Sequence, residues 1–148
     1  MLTEDMKRII REYKIGFVAT VCADGTPNLS PKATFVVLDH KTLLFSNLRS
    51  PQTLENIKHQ PTMAINFVDT FLRRGFRVKG QARYIERGAD SFGELLPLFD
   101  EWADLQPRMQ GIFRLEIEEA LDVTSPAYDM GATEEDLKSH WKAHYLAL

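Results

Sequence analysis

The chain has 148 residues, of which 44% are hydrophobic and 26% charged, and its net charge is -3. That is the size of one domain with a sizeable core, and the mild acidity argues against nucleic acid as the main partner. No apolar run approaches the ~18 residues that span a bilayer, the charged opening MLTEDMKRII is not a signal peptide, and the single Cys22 fits a reducing, cytoplasmic setting.

Met6, Ile9, Ile10 and Tyr13 fall at helical spacing, with Thr3 as cap and Gly16 as stop. A strand is expected over Gly16 to Ala23. Asp24-Gly25 then reads as a type I′ hairpin turn, which needs positive φ at both central residues. The returning strand starts at Pro27 and runs without a break through PNLSPKATF into Val36-Val37-Leu38. Strand side chains alternate, so Leu29, Pro31, Ala33, Phe35 and Val37 form its expected core face. Asn28, Ser30, Lys32 and Thr34 form the other, a polar face that is either wet or holds something.

Asp39-His40-Lys41 turns the chain into a strand from Thr42 to Ser46, which makes the first half a β-meander. Ser50-Pro51 opens a short helix, with Ser as N-cap and Pro at its first position, and Pro61 closes it. Thr62 to Asp69 is a strand with Met63, Ile65 and Phe67 on one face. After an irregular turn over 71–75, Phe76, Val78, Gly80, Ala82 and Tyr84 alternate with the polar Arg77, Lys79, Gln81 and Arg83. Phe92, Leu95, Leu96, Phe99 and Trp102 mark a helix that Pro97 should kink or split. Ile112 to Val123 is strand-like, and Thr133 caps a last helix with Leu137, Trp141, Tyr145 and Leu148 along one side. Six strands with helices at ends and crossovers predict a single α+β domain over residues 1–148, built as a small antiparallel β-barrel.

Neither a Gly-rich dinucleotide fingerprint nor a P-loop occurs. His140 and His144 have the spacing of two metal ligands, but the Glu of H-E-x-x-H is missing and no third ligand follows, so no metal site is expected.

The runs GFVATVCADGTPNLSPKATFVVLDHKTLLFSN, SPQTLENIKHQPTMAINF and GFRVKGQARYI resemble the pyridoxamine 5′-phosphate oxidase-like, FMN-binding split β-barrel family, over about residues 14–86. The later TSPAYDMGATEEDL is similar to a tail of its small members. The resemblance implies a homodimer with two FMN molecules in grooves between the subunits. It places Ser30, Pro31, Lys32, Ala33 and Thr34 along the flavin, followed by Ser46, Asn47, Leu48 and Arg49. Ser50, Gln52, Thr53 and Asn56 then lie at the phosphate end, with Arg77 and Trp141 as further cofactor contacts. Elementary chemistry points the same way for the phosphate, because a helix N-terminus offers free N–H groups and Lys32 and Arg49 offer charge. Where many members carry a Lys, this chain has Thr53. Strand patterning adds to the expected dimer, since Phe35, Val37, Phe45 and Phe67 exceed what a small barrel interior readily takes.

The expected function is a flavoprotein oxidoreductase passing electrons from NAD(P)H to a small acceptor. The alternatives are a non-catalytic flavin-binding or stress-related dimer, and a relative binding deazaflavin (F420) or haem in the same groove. Turnover of pyridoxamine 5′-phosphate itself is not expected, because a second phosphate needs further cations and no arginine follows Arg114. The family's oxidases supply those cations partly from an N-terminal extension, and here the first strand begins about a dozen residues in.

Overall fold

A computed structural model describes residues 1–148. In chain order the elements are α1 (Glu4–Tyr13), β1 (Gly16–Val21), β2 (Pro27–Lys32), β3 (Phe35–Asp39), β4 (Thr42–Asn47), α2 (Pro51–His59), β5 (Thr62–Asp69) and β6 (Arg74–Glu86). Then follow α3 (Asp90–Leu95), short 3-10 segments, β7 (Gly111–Thr124) and α4 (Glu134–Leu146). None of the helices is long and apolar enough to cross a membrane.

All seven strands form one antiparallel sheet in the order β2-β1-β5-β6-β7-β4-β3. Its two edge strands, β2 and β3, are joined by only Ala33 and Thr34. Three residue steps reach ~10 Å at most, so the edges must come together and the sheet must curl. Phe35 on edge strand β3 accordingly packs edge-on against Phe67 of β5, with ring centroids 4.9 Å apart. Gly16 makes that closure possible, because a Cβ there would sit 2.6 Å from the Phe67 ring and 2.8 Å from Phe35. Edge strand β3 closes onto β1 and β5 through side chains rather than a hydrogen-bonded ladder, which is a split barrel.

Several expectations change. The long strand from Pro27 breaks at Ala33-Thr34, giving seven strands instead of six. The first half is not a meander, since β2 and β3 lie on opposite edges. Two features make the break. Pro27 and Pro31 lack N–H groups and suit an edge strand, and the Thr34 hydroxyl accepts the Ser46 N–H at 3.1 Å, redirecting the chain onto β4. The alternation in β2 is as expected but its faces are reversed: Leu29 is 68% exposed, whereas Asn28, Ser30 and Lys32 are half-buried. They share the inner side with Val18 and Thr20, where α2 packs.

The Asp24-Gly25 turn has positive φ only at Gly25. Gly25 N–H donates to the Cys22 carbonyl and Cys22 N–H to Thr26, so this is a three-residue loop and not a type I′ turn. Helix α1 ends on Lys14 in the left-handed conformation (φ 54°), and Gly16 already belongs to β1. Ser50 precedes α2 but its side chain does not cap it. Pro97 acts as expected, with α3 giving way to a 3-10 segment from Leu96.

The barrel interior is packed with aromatics. Phe45 stacks on Phe113 and Phe67 on Phe76, at 4.7 and 5.1 Å. Phe35, Phe45 and Phe67 are thus absorbed by the interior, being 6%, 0% and 0% exposed, and they supply no apolar outer flank. The apolar outer surface comes from other residues: Phe17, Leu29, Leu121 and Val123, each at least 39% exposed. Cross-strand register places Pro31, Phe17, Asn66, Arg77 and Leu121 in one row across β2, β1, β5, β6 and β7.

Candidate functional site

The turn between β2 and β3 and the end of β4 enclose a cavity of about 260 Å³. It is lined by Pro31, Lys32, Ala33, Thr34, Ser46, Leu48, Arg49 and Ser50. Hairpin β3–β4 brings the two segments together, pairing Phe35 with Phe45 and so setting Thr34 beside Ser46. Their hydroxyls lie 2.7 Å apart and both residues are buried. Lys32 reaches from β2 to donate to the Ser50 hydroxyl at 2.6 Å. Burial holds the Lys32 ammonium below the usual lysine range, and the one group it bonds is neutral. A desolvated cation with a neutral partner keeps two donors for an anion. The Ser50 hydroxyl, accepting from Lys32, is left free to donate as well. The backbone N–H groups of Gln52 and Thr53 at the start of α2 are without partners in the chain. Arg49 is exposed at the rim.

The remaining predicted residues lie elsewhere. Ser30 is half-buried on β2, opposite Val18. Asn47 is buried behind the cavity, where its carbonyl oxygen accepts the Ser50 N–H at 2.9 Å and its amide donates to the Tyr84 hydroxyl at 2.9 Å. Gln52 donates to Asn56, which in turn donates to Thr20 of β1 at 3.0 Å. Asn56 thus ties α2 to β1, Thr53 is buried as well, and none of the three lines the cavity. Arg77 sits in the outer row described above, between Asn66 and Leu121. Trp141 lies on α4, its ring 3.5 Å from the Arg73 guanidinium. Sequence reasoning missed Tyr84, which reads there only as one more residue of the apolar face of β6.

The two largest cavities lack this character. One of about 450 Å³ lies among α1, the β5–β6 turn and α4, where the charges serve one another. Arg8 pairs with Asp5, Glu12 and Asp69, and Arg74 with Asp5 and Glu134. The other, about 520 Å³ beside α3, mixes Arg83 and Arg114 with Glu86 and Glu94. Arg114 is already paired with Glu116 at 2.8 Å. No group of three or more His, Cys, Asp or Glu side chains could hold a metal ion.

The family model described as pyridoxamine 5′-phosphate oxidase matches residues 2–123. The chain belongs to the pyridoxamine 5′-phosphate oxidase family. Among solved structures, HupZ of Group A Streptococcus is 30% identical, with a TM-score of 0.69 over 84% of this chain and 96% of that one. A Lactobacillus delbrueckii protein assigned as a pyridoxamine 5′-phosphate oxidase is 28% identical, with a TM-score of 0.70 over 81% and 93%. HutZ, the haem storage protein of Vibrio cholerae, shares the fold at 24% identity and a TM-score of 0.62, over 84% and 95%. No curated protein matches the chain. The family match stops at the end of β7 and does not reach α4.

Proposed function

We propose that the chain is a homodimeric flavoprotein of this family, binding FMN with its phosphate at Lys32 and Ser50 and serving as an oxidoreductase toward a small acceptor. One observation carries the reading. Lys32 is a partly desolvated cation that bonds only a neutral hydroxyl, in a cavity it shares with Ser50, the residue before α2. An anion there would satisfy the ammonium and the Ser50 hydroxyl together. Thr53 in place of a family lysine leaves Lys32 and Arg49 as the cavity's cations.

The cavity's 260 Å³ falls below the ~300–1,000 Å³ of sites that enclose whole ligands. It suits the phosphate and part of the ribityl chain, and a second copy laid on the outer face of β1 and β2 would wall the rest. Pro31 belongs to both surfaces, lining the cavity and standing in the exposed row with Phe17.

Bound FMN would supply hydride and electron transfer, with NAD(P)H as donor. The chain's own part is to neutralise the phosphate, fix the cofactor's position and exclude water. With two cations at the cavity, the groove is equipped for one phosphate and disfavours a second phosphorylated substrate such as pyridoxamine 5′-phosphate.

The absorbance spectrum of freshly purified protein tests the cofactor. Oxidised-flavin bands are expected; a haem Soret band, or a deazaflavin spectrum, would overturn it. NAD(P)H oxidation by the loaded dimer then separates an enzyme from a passive flavin carrier.

A further inference from the structure

We infer that Tyr84 is a positioning residue for the anion-binding pair of Lys32 and Ser50, acting through Asn47 across a gap left by Gly111. The inference rests on the phosphate reading of that cavity. A continuous chain of hydrogen bonds leads away from it. Lys32 Nζ donates to Ser50 Oγ at 2.6 Å, Ser50 N–H donates to Asn47 Oδ1 at 2.9 Å, and Asn47 Nδ2 donates to the Tyr84 hydroxyl at 2.9 Å. Asn47 and Ser50 are 2% and 6% exposed, so water is a poor substitute for these bonds.

The geometry is not that of neighbouring strands. Tyr84 is on β6 and Asn47 on β4, with β7 between them. Strands lie ~4.8 Å apart, so a side chain must cross about 10 Å of sheet to make this contact. The residue in the way is Gly111, the register partner of Asn47. A Cβ on Gly111 would stand 2.2 Å from the Tyr84 hydroxyl and 2.3 Å from its Cζ. The missing side chain is therefore the passage through which the phenol reaches β4. Phe113, the register partner of Tyr84, packs on its ring at 5.0 Å and fixes its direction.

The amide of Asn47 has two ends, and a different partner holds each. Ser50 N–H can only donate, so it takes Oδ1, and the phenol oxygen, accepting from Nδ2, anchors the amide from its far side and so steadies the backbone at the entrance to α2. Ser50 Oγ is thereby held where Lys32 can reach it. Without the phenol, Nδ2 is a buried donor without a partner, and the Asn47 amide is free to shift and loosen its hold on the Ser50 N–H. Tyr84 touches no ligand; it acts on the cavity through Asn47.

The test compares FMN with riboflavin, which lacks only the phosphate, in the full-length protein and in Tyr84→Phe, by flavin-fluorescence titration. Tyr84→Phe keeps the ring and its packing. FMN affinity should fall about 5- to 15-fold, with riboflavin affinity changed less than twofold. In a Lys32→Met background, Tyr84→Phe should cause no further loss of FMN affinity, because the two act on one anion. Equal weakening of both ligands, or an additive effect in the double variant, would mean Tyr84 only packs the barrel and would overturn the inference. So would Tyr84→Phe retaining the full preference for FMN, with the phosphate site intact. Wild-type protein that binds FMN no better than riboflavin would instead remove the phosphate reading, and this inference with it.

Discussion

Lys32 and Asp69 show two ways of burying a charge. Lys32 is desolvated beside a neutral hydroxyl, and burial lowers its basicity. The folded protein thus bears a cost for keeping it charged at neutral pH, a cost an anion would offset. Lys32→Ala should weaken FMN binding by ~1–3 kcal/mol, read by titration; an unchanged dissociation constant would make Lys32 a mere surface charge. Asp69, 1% exposed, is fully supported. Burial pushes its carboxyl up, but donors outweigh it: the Tyr13 hydroxyl at 2.6 Å, the Leu72 and Phe71 N–H groups at 2.9 and 3.1 Å, and Arg8 at 3.3 Å. The net effect is a carboxyl held below its ordinary value. A depressed carboxyl stabilises the fold above the unfolded value of about 3.9, and that stability is lost as pH falls through the folded value. Asp69→Asn should therefore cost ~2–3 kcal/mol near neutrality, with a deficit that shrinks below about pH 4. Urea midpoints across that range check it, and a deficit independent of pH would show the charge to be irrelevant.

Among the elements, α4 is the loosest. It begins well, with the Thr133 hydroxyl accepting from Asp136 N–H and Asp136 accepting from Thr133 N–H. None of its residues is fully buried. Its attachment is a latch at the β5–β6 turn. Arg73, in the left-handed region at φ 54°, stacks on Trp141 at 3.5 Å and donates to the Tyr145 hydroxyl at 2.8 Å. Phe71 meets Tyr145 edge-on at 5.7 Å, and the Tyr128 hydroxyl donates to the Leu72 carbonyl at 2.6 Å. A contact of this kind contributes ~0.5–2 kcal/mol, small beside a barrel packed with phenylalanines. Trp141→Ala should accelerate amide exchange throughout α4 by an amount equivalent to ~1–2 kcal/mol while β5 and β6 keep their protection. Wild-type protection of α4 in that variant would mean the helix is held by something other than the latch.

For the whole molecule, the decisive feature is which surface the barrel leaves uncovered. Its interior takes up Phe35, Phe45 and Phe67, so the apolar outer residues Phe17, Leu29, Leu121 and Val123 are what a second copy would cover. Leu29, at 68% exposure, can be changed with little consequence for a monomer. Leu29→Lys should leave the folded chain intact but split the proposed dimer, since it would put an unpaired charge in a desolvated interface. Sedimentation velocity should show the shift to monomer, with FMN affinity falling alongside. A Leu29→Lys protein that remains dimeric and binds FMN normally would place the interface elsewhere.

What the sequence determined by itself is what depends on near neighbours in the chain. The period of Met63, Ile65 and Phe67, the caps at Thr3 and Thr133 and the break at Pro97 were all legible, because each is local stereochemistry. The cavity was largely legible for the same reason: residues 31–34 and 46–50 are the two ends of one hairpin, and pairing within it brings them together. Alternation gives a strand's period but not which side faces inward, so Leu29 was assigned to the core although it stands outside. The split at Ala33-Thr34 depends on Ser46 waiting beside Thr34, and the site of Trp141 on Arg73, 68 positions earlier in the numbering. The reach of Tyr84 past Gly111 to Asn47 exists only because strand order sets β7 between β6 and β4. Tertiary structure decided these, since each needs residues far apart in the chain to meet, and no local pattern carries that distance.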